Sequence, residues 1–481
     1  VKLKQNFFRL LTGLALCVAA GFAPAAAQFM SKSKEQQIGA EEHPKIIAQY
    51  GGVYDDPRVA GYVAAIGGRI VANSEIPNQS FHFTVLDSPI VNAFALPGGY
   101  VYVTRGLIAL ANSEAELASV LGHEVGHVAA RHSAQRYNRG VGMALGGALL
   151  GVLTGNQVIS DLAQQGGQLY LLGYSRKQEY EADQLGVRYM VRAGYDPYAE
   201  ADFLRALESH DALEAVMSGN KNPRPSEFLT THPITAKRVT EAIESARKSG
   251  VPVESRPRLR DEFLNNIDGM VHGGSPQSGF VRGRQFLHPE LRFTFTVPPG
   301  FKINNGPTAI IAAGPDDVKL KFDMAKLRQP VSMAAYLTSI WANDVSLRNP
   351  ESLIINGMQA ATAETVITGE AGRALVRLIA IGFSPDTVAR LMILTPDRPG
   401  AAMQEELRRF TYSFRSLTPD EAGRLSPLRI RVIPVQAGDT MAGIAGHMPF
   451  EDYREPRFRV LNGFGLNDTL RPGQRVKIVA Q

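Results

Sequence analysis

The chain has 481 residues, 44% of them hydrophobic and 20% charged, with a mean hydropathy of −0.10. At roughly 150 residues per domain this is about three globular units, and the balance excludes both a disordered chain and a polytopic membrane protein. One cysteine excludes a disulfide scaffold and a cysteine-ligated structural zinc, and a formal charge of +5, falling to +2 without the basic leader described next, gives no support to nucleic-acid binding.

Lys2, Lys4 and Arg9 precede an apolar stretch at 10–22, and Ala25, Ala26 and Ala27 offer small residues for cleavage. Residues 1–27 therefore read as a secretory signal peptide. The apolar run is short for the roughly 20 residues a span requires, and Pro24 closes it. Cys17 follows Leu16 rather than the small residue a lipoprotein signal needs. The processed chain is thus expected to lack cysteine and to reside in a Gram-negative-type periplasm or outside the cell.

From 31 to about 260 the pattern is mostly helical, with apolar residues at helical spacing over 35–50 and 57–73. Residues 81–86 alternate as a strand does. Asn92, Ala93, Phe94 and Ala95 lead through Pro97-Gly98-Gly99 to a second strand at 100–104, a hairpin-like pair. Ser113 and Glu116 form a capping box that opens a helix expected to reach about 136. The Gly- and Ala-rich run 142–153 is too short to span a bilayer and reads as buried or surface-associating, a peripheral membrane contact. A further helix is expected over 175–193, stopped by Gly194 with Pro197 beyond.

His123-Glu124-Val125-Gly126-His127 is an HExxH motif. On a helix its two imidazoles share a face and can reach one cation, and Glu124 stands where it can take a proton from water. Roughly 0.01 such motifs are expected by chance in a chain of this composition. Zinc needs a third protein ligand. The segment Ser175-Arg176-Lys177-Gln178-Glu179-Tyr180-Glu181-Ala182-Asp183 places Glu179 and Asp183 on one helical face, with Glu181 pointing elsewhere. One carboxylate can ligate while the other orients a ligating histidine. His132, nine residues after His123, is about half a turn out of phase and is expected to face away from the metal. His232 precedes Pro233, so its backbone is expected to be loop-like. His43, His82, His210, His272, His288 and His447 lack partners at ligand spacing and read as structural.

HExxH followed by Ser175-Arg176, Glu179 and Ala182-Asp183 resembles the HtpX and CAAX-prenyl-protease family of gluzincin metallopeptidases. The likeness extends over about 31–245 and includes Asn92 to Ala95, Thr231-His232-Pro233 and Arg238. It implies a mainly helical zincin-type peptidase domain with a small edge sheet, one Zn²⁺ per chain, and protein or peptide substrates. By resemblance His123, His127 and Glu179 are the ligands, Glu124 is the catalytic base, and Asp183 supports a ligand. Asn92 to Ala95 would be the substrate edge. His232 would approach the metal as an inhibitory latch, as in the periplasmic BepA-like branch, or stabilise the oxyanion.

Beyond 260 a Gly- and Ser-containing stretch, 261–284, reads as a linker. Strands at 291–297, 318–322, 374–383 and 388–394, with helices at 332–342 and 402–412, mark a separate α+β domain, 285–418, without a chemical motif. Residues 428–481 read strand, helix, helix, strand and resemble a LysM module, which implies peptidoglycan binding. The whole is a multidomain α+β chain: signal peptide 1–27, peptidase domain 28–260, linker, α+β domain and LysM-like domain. Its expected activity is zinc-dependent endoproteolysis of misfolded or envelope proteins. The alternative is a cell-wall-binding or chaperone-like envelope protein whose zinc site is latched.

Overall fold

Asp56 starts the first core helix: its carboxylate accepts from Arg58 N at 3.1 Å and Val59 N at 3.2 Å, and Pro57 occupies the first turn, where no donor is missed. The computed structural model describes residues 30–138, 173–218, 227–233, 236–306, 308–369, 372–396 and 399–481. The leader 1–27 and the run 142–153 lie outside them. After α1 (Lys32–Gln49) comes this helix, α2 (Pro57–Ala72), whose Val59, Val63, Ile66 and Ile70 recur at helical spacing and are buried. Strand β1 (His82–Leu86) rests on α2 because Gly67 has no side chain; a Cβ there would lie 2.4 Å from the Phe83 ring.

The hairpin reading holds. β2 (Ala93–Leu96) pairs antiparallel with β3 (Tyr100–Thr104), and Gly98 and Gly99 turn the chain at φ +86° and +91°. β3 also pairs parallel with β1, so β2 is an edge of a three-stranded sheet. Helix α3 (Arg105–Leu110) leads to α4 (Glu114–Ala129), which carries the HExxH residues. Ser113 Oγ accepts from Glu116 N at 3.2 Å, while Glu116 Oε2 accepts from Asn112 N at 2.8 Å, one residue before the cap. The helix ends earlier than the sequence suggested. Arg131 takes φ +59°, and a separate helical stretch begins at 132.

Helix α5 (Arg176–Ala193) has a reciprocal Ser175–Gln178 capping box and ends at Gly194, φ +89°, as its sequence signals require. It crosses α4 with backbones nearly touching: a Cβ on Gly122 would be 3.3 Å from Gly186 Cα, and one on Gly126 would be 3.0 Å from Ala182 O. Helices α6 (Ala199–Ser218), α7 (Glu227–Thr231) and α8 (Ala236–Lys248) follow.

The stretch read as a linker is structured over much of its length. Helix α9 (Arg260–Ile267) buries Phe263, Leu264 and Ile267 in the same core as α2 and α4, and β4 (Val271–His272) follows it. Its composition is polar because the outward face of α9 is, so a Gly/Ser criterion sees only the turn beyond.

Residues 280–416 form two antiparallel sheets. A seven-stranded sheet runs from Arg348–Ile355 at one edge to Lys302–Asn305 at the other, and a four-stranded sheet holds Phe280–Arg282 and Phe293–Thr296. Phe286, Phe293, Phe295, Phe322, Phe410 and Phe414 fill a core of their own. The helix expected over 332–342 is Met333–Tyr336 followed by a π turn, Leu337–Trp341.

The last segment has the predicted order: β5 (Leu428–Pro434), α10 (Met441–Gly446), α11 (Arg454–Asn462) and β6 (Arg475–Ala480), with β5 and β6 antiparallel. The other edge of β5 pairs with β4, Leu428 opposite His272 and Arg429 opposite Val271. Residues 273–427 are therefore an excursion out of one sheet. Ile430, Leu461 and Val479 join the core of α2 and α4. Lys477, fully buried on β6, donates to Ala109 O at 2.7 Å and Ala111 O at 2.5 Å, in the connection leading to α4. Among the described residues no helix is long and apolar enough to cross a membrane.

Candidate metal centre

The close α4–α5 crossing brings the two motifs together. From α4 come His123 and His127, from α5 Glu179, and from the turn after α7 His232; one ligand atom of each lies within 4.8 Å of the others, and all four are buried. His123 Nε2 is 3.0 Å from His127 Nε2, 3.3 Å from His232 Nδ1 and 3.6 Å from Glu179 Oε2. Glu179 Oε1 is 3.4 Å from His127 Nε2 and 3.2 Å from His232 Nδ1. A tetrahedron with ligands at the zinc distances of ~2.0–2.1 Å has edges of about 3.3 Å, and the separations given, taken over the two Glu179 oxygens, lie around that value.

Burial drives the His127 imidazole well below its usual pKa, which keeps it neutral and able to ligate. Burial alone would raise Glu179, but His232 and Arg238 beside it, with hydrogen bonds from His127 and His232, hold it well below the carboxylate range. Glu124 is different. It is fully buried, neither of its oxygens has a hydrogen-bond partner, and burial, assisted by the charge of Glu179, pushes it up to about 7. His232 Nε2 lies 3.5 Å from its Oε1.

The surrounding groups fix the ligands. Asp183 Oδ1 is 2.8 Å from His123 Nδ1 and is gripped by Arg238 through bonds of 2.6 and 2.8 Å. A third Arg238 nitrogen reaches Glu179 Oε2 at 2.7 Å. Asp183 thus holds one histidine, and Arg238 holds both acidic groups of α5. The Tyr174 ring stacks on His127 at 3.7 Å, and Phe228 stacks on His232 at 4.8 Å.

His132 corrects the helical-wheel reading. It does not face away: its Nδ1 is 3.0 Å from His127 Nδ1, and its Nε2 is 3.4 Å from Glu181. The positive φ at Arg131 breaks the phase on which that reading depended. Glu181 is half exposed and does stay outside the metal cluster. His232 follows helix α7 in a bend, as Pro233 suggested, and supplies the fourth member of the cluster. Sequence reasoning missed the contacts of His132 and Tyr174; only the adjacency of His132 to the motif could have flagged either.

The proposed substrate edge stands beside this centre. Ala93, Phe94 and Ala95 lie on edge strand β2, all buried, and Ala95 O accepts from Arg136 at 3.1 Å. Asn92, just before the strand, donates to Tyr50 at 3.2 Å and to Glu227 of α7 at 3.1 Å. Tyr50 also donates to Glu227. The segment leading to His232 is thereby fastened to the start of the edge strand.

The buried HExxH pair, the α5 carboxylate and His232 form a cluster that could hold a zinc ion, with Glu124 beside it. Residues 57–246 match the family model described as Peptidase family M48, and the domain they form is a zinc metallopeptidase. The Beta-barrel assembly-enhancing protease of Yersinia pestis is 31% identical over 202 residues, 40% of either chain. The Mitochondrial metalloendopeptidase OMA1 of Arabidopsis thaliana is 38% identical over 170 residues, 35% of this chain and 32% of that one. The OMA1 of Schizosaccharomyces pombe is 32% identical over 216 residues, 44% of this chain and 60% of that one. The chain thus spans less than two thirds of each of these relatives.

Proposed function

We propose that the chain is a latent zinc endopeptidase of a bacterial envelope, acting on misfolded or envelope proteins. The observation that carries this is Glu124: a fully buried carboxylate with no hydrogen-bond partner, set among metal-binding side chains. Next to His123 on α4 and 3.5 Å from His232 Nε2, it stands where a general base for a metal-held water belongs. The basic, apolar, small-residue leader and the likeness to the Yersinia protease support the envelope over a mitochondrion.

His123, His127 and Glu179 would hold the ion, which when bound supplies Lewis acidity toward water and the scissile carbonyl. Substrate adds as a strand along β2, where main-chain bonds ask little of its sequence. Glu124 takes the proton of the attacking water and passes it to the leaving amine nitrogen. Asp183 keeps the His123 ring oriented throughout. The buried edge strand and the inward His232 belong to a closed form, in which His232 acts as the latch; substrate requires it to swing out with α7.

The test is Glu124→Gln in the full chain. Zinc content should stay at one per chain while casein cleavage is lost; normal turnover would refute the mechanism. His232→Ala should keep zinc and raise basal cleavage severalfold. A roughly hundredfold fall would instead assign oxyanion stabilisation to His232, and activity within twofold of the parent would assign it neither role. For residues 428–481 we propose glycan binding, on the likeness to LysM modules.

A further inference from the structure

Away from the metal centre, a half-open cavity of about 240 Å³ lies where the peptidase domain meets the C-terminal module. One wall comes from α6, with Leu213 and Met217, another from Val91 just before β2, and the third from β4 and α11. Most of the lining is apolar. Arg105, His210, Glu214, His272 and Arg457 are its charged and imidazole side chains, and two of their atoms, His272 Nδ1 and Arg457 Nε, are buried with no hydrogen-bond partner among the described residues. They belong to one group of side chains, because the Phe450 ring packs against both, 6.4 Å from the His272 ring centroid and 4.6 Å from the Arg457 guanidinium carbon.

The other cations of this region are engaged. Arg105 is spent on Asp87, Val271 O and Gly273 O, and Lys477 on two carbonyls. Asp452 approaches Arg457 only through its outer nitrogen, at 3.7 Å, and is exposed. The one carboxylate among the described lining residues, Glu214, is also exposed. Burial, with Arg105, Arg457 and Lys477 nearby, takes His272 down to about 4, so the ring is neutral and able to offer one N–H. An unpaired buried polar atom is costly; with the proton on Nδ1, His272 and the Arg457 Nε–H set two donors beside an apolar slot, which suits a ligand with two acceptor oxygens and an apolar tail. The cavity is smaller than the roughly 300–1,000 Å³ of drug-sized sites, so only one or two residues of a chain fit.

We propose that this cavity binds the C-terminal carboxylate of a peptide ending in an apolar residue, with Arg457 and His272 on the carboxylate and Leu213 and Met217 against the side chain. Every cut by an endopeptidase creates such an end, and Val91 places the cavity one residue from Asn92 at the start of the substrate edge. The site needs no metal, so it stands or falls apart from the proposed activity.

The test uses the full-length, zinc-loaded Glu124→Gln chain and fluorescence anisotropy of N-terminally labelled Gly-Gly-Ala-Leu, as free acid and as C-terminal amide. The free acid should saturate and the amide should bind at least tenfold more weakly. Arg457→Gln should weaken the free acid roughly ten- to hundredfold, the range of a lost charge-assisted bond. Leu213→Trp, which fills the slot from the peptidase side, should abolish binding with Arg457 intact, so the result survives if Arg457→Gln does not fold. Arg459→Gln, whose side chain pairs with Glu455 on the same helix, should change nothing. Equal binding of acid and amide overturns the proposal, as does unaltered binding in both cavity variants. Displacement of the peptide by decanoate at equal or lower concentration would make the site one for alkyl carboxylates and overturn the peptide assignment.

Discussion

Gly186 gives the strictest test of how the centre is built. A methyl group there would stand 3.1 Å from His123 N, 3.3 Å from the Gly122 carbonyl carbon and 3.5 Å from His123 Cα. All three atoms are α4 backbone, so no rotamer change relieves the contact. Carbon atoms rest at 3.5–4.0 Å, so α4 and α5 must part by about 0.5 Å. Alanine gains about 1 kcal/mol over glycine in a helix interior, and overpacking costs about 1–3 kcal/mol. Gly186→Ala should therefore lose about 0–2 kcal/mol of stability. The larger effect falls on the metal, because α4 carries two of the proposed ligands and α5 the third, and about 0.5 Å is the whole tolerance of such a set. Zinc affinity should fall about tenfold, measured by titrating the metal-free chain against a chromogenic chelator. Gly68→Ala on α2, where a Cβ meets nothing within 4 Å, is the control and should raise stability by up to about 1 kcal/mol without touching affinity. If Gly186→Ala behaves like the control, with unchanged affinity and a higher melting temperature, the reasoning is wrong.

Glu179→Ala should weaken zinc binding more than a hundredfold and Glu181→Ala less than threefold, since Glu181 reaches only His132; equal metal content in the two purified variants would reassign the ligand. Replacing residues 274–426 by a short Gly-rich turn should leave zinc binding intact, because His272 and Leu428 are cross-strand partners about 5 Å apart. A non-cooperative melt of that shortened chain would show that the middle unit is needed for the fold. The full chain should sediment with insoluble peptidoglycan, and its retention in the supernatant would leave the C-terminal module a purely structural part.

Local chemistry was the readable part of this sequence. Caps and stops at Ser113, Ser175 and Gly194 act over one turn of chain, and so did the pairing of His123 with His127 and of Glu179 with Asp183. His132 was misread because one residue, Arg131, adopts a positive φ that no propensity announces. Gly186 carries no signal at all: its role exists only opposite Gly122, on another helix. The linker reading failed for the same reason, since β4 becomes a strand only through β5, more than 150 positions away.

That last pairing sets an order of events during synthesis. Until β5 and β6 leave the ribosome, β4 has no neighbour, and the carbonyls of Ala109 and Ala111 lack the Lys477 ammonium that holds them. The helix bearing the metal-binding histidines then starts from an unanchored base. A half-made chain that has already emitted every proposed catalytic side chain would thus still lack the contacts that hold the base of that helix. The stretch that leads into this helix is tied down only once the strand bearing Lys477 has been made.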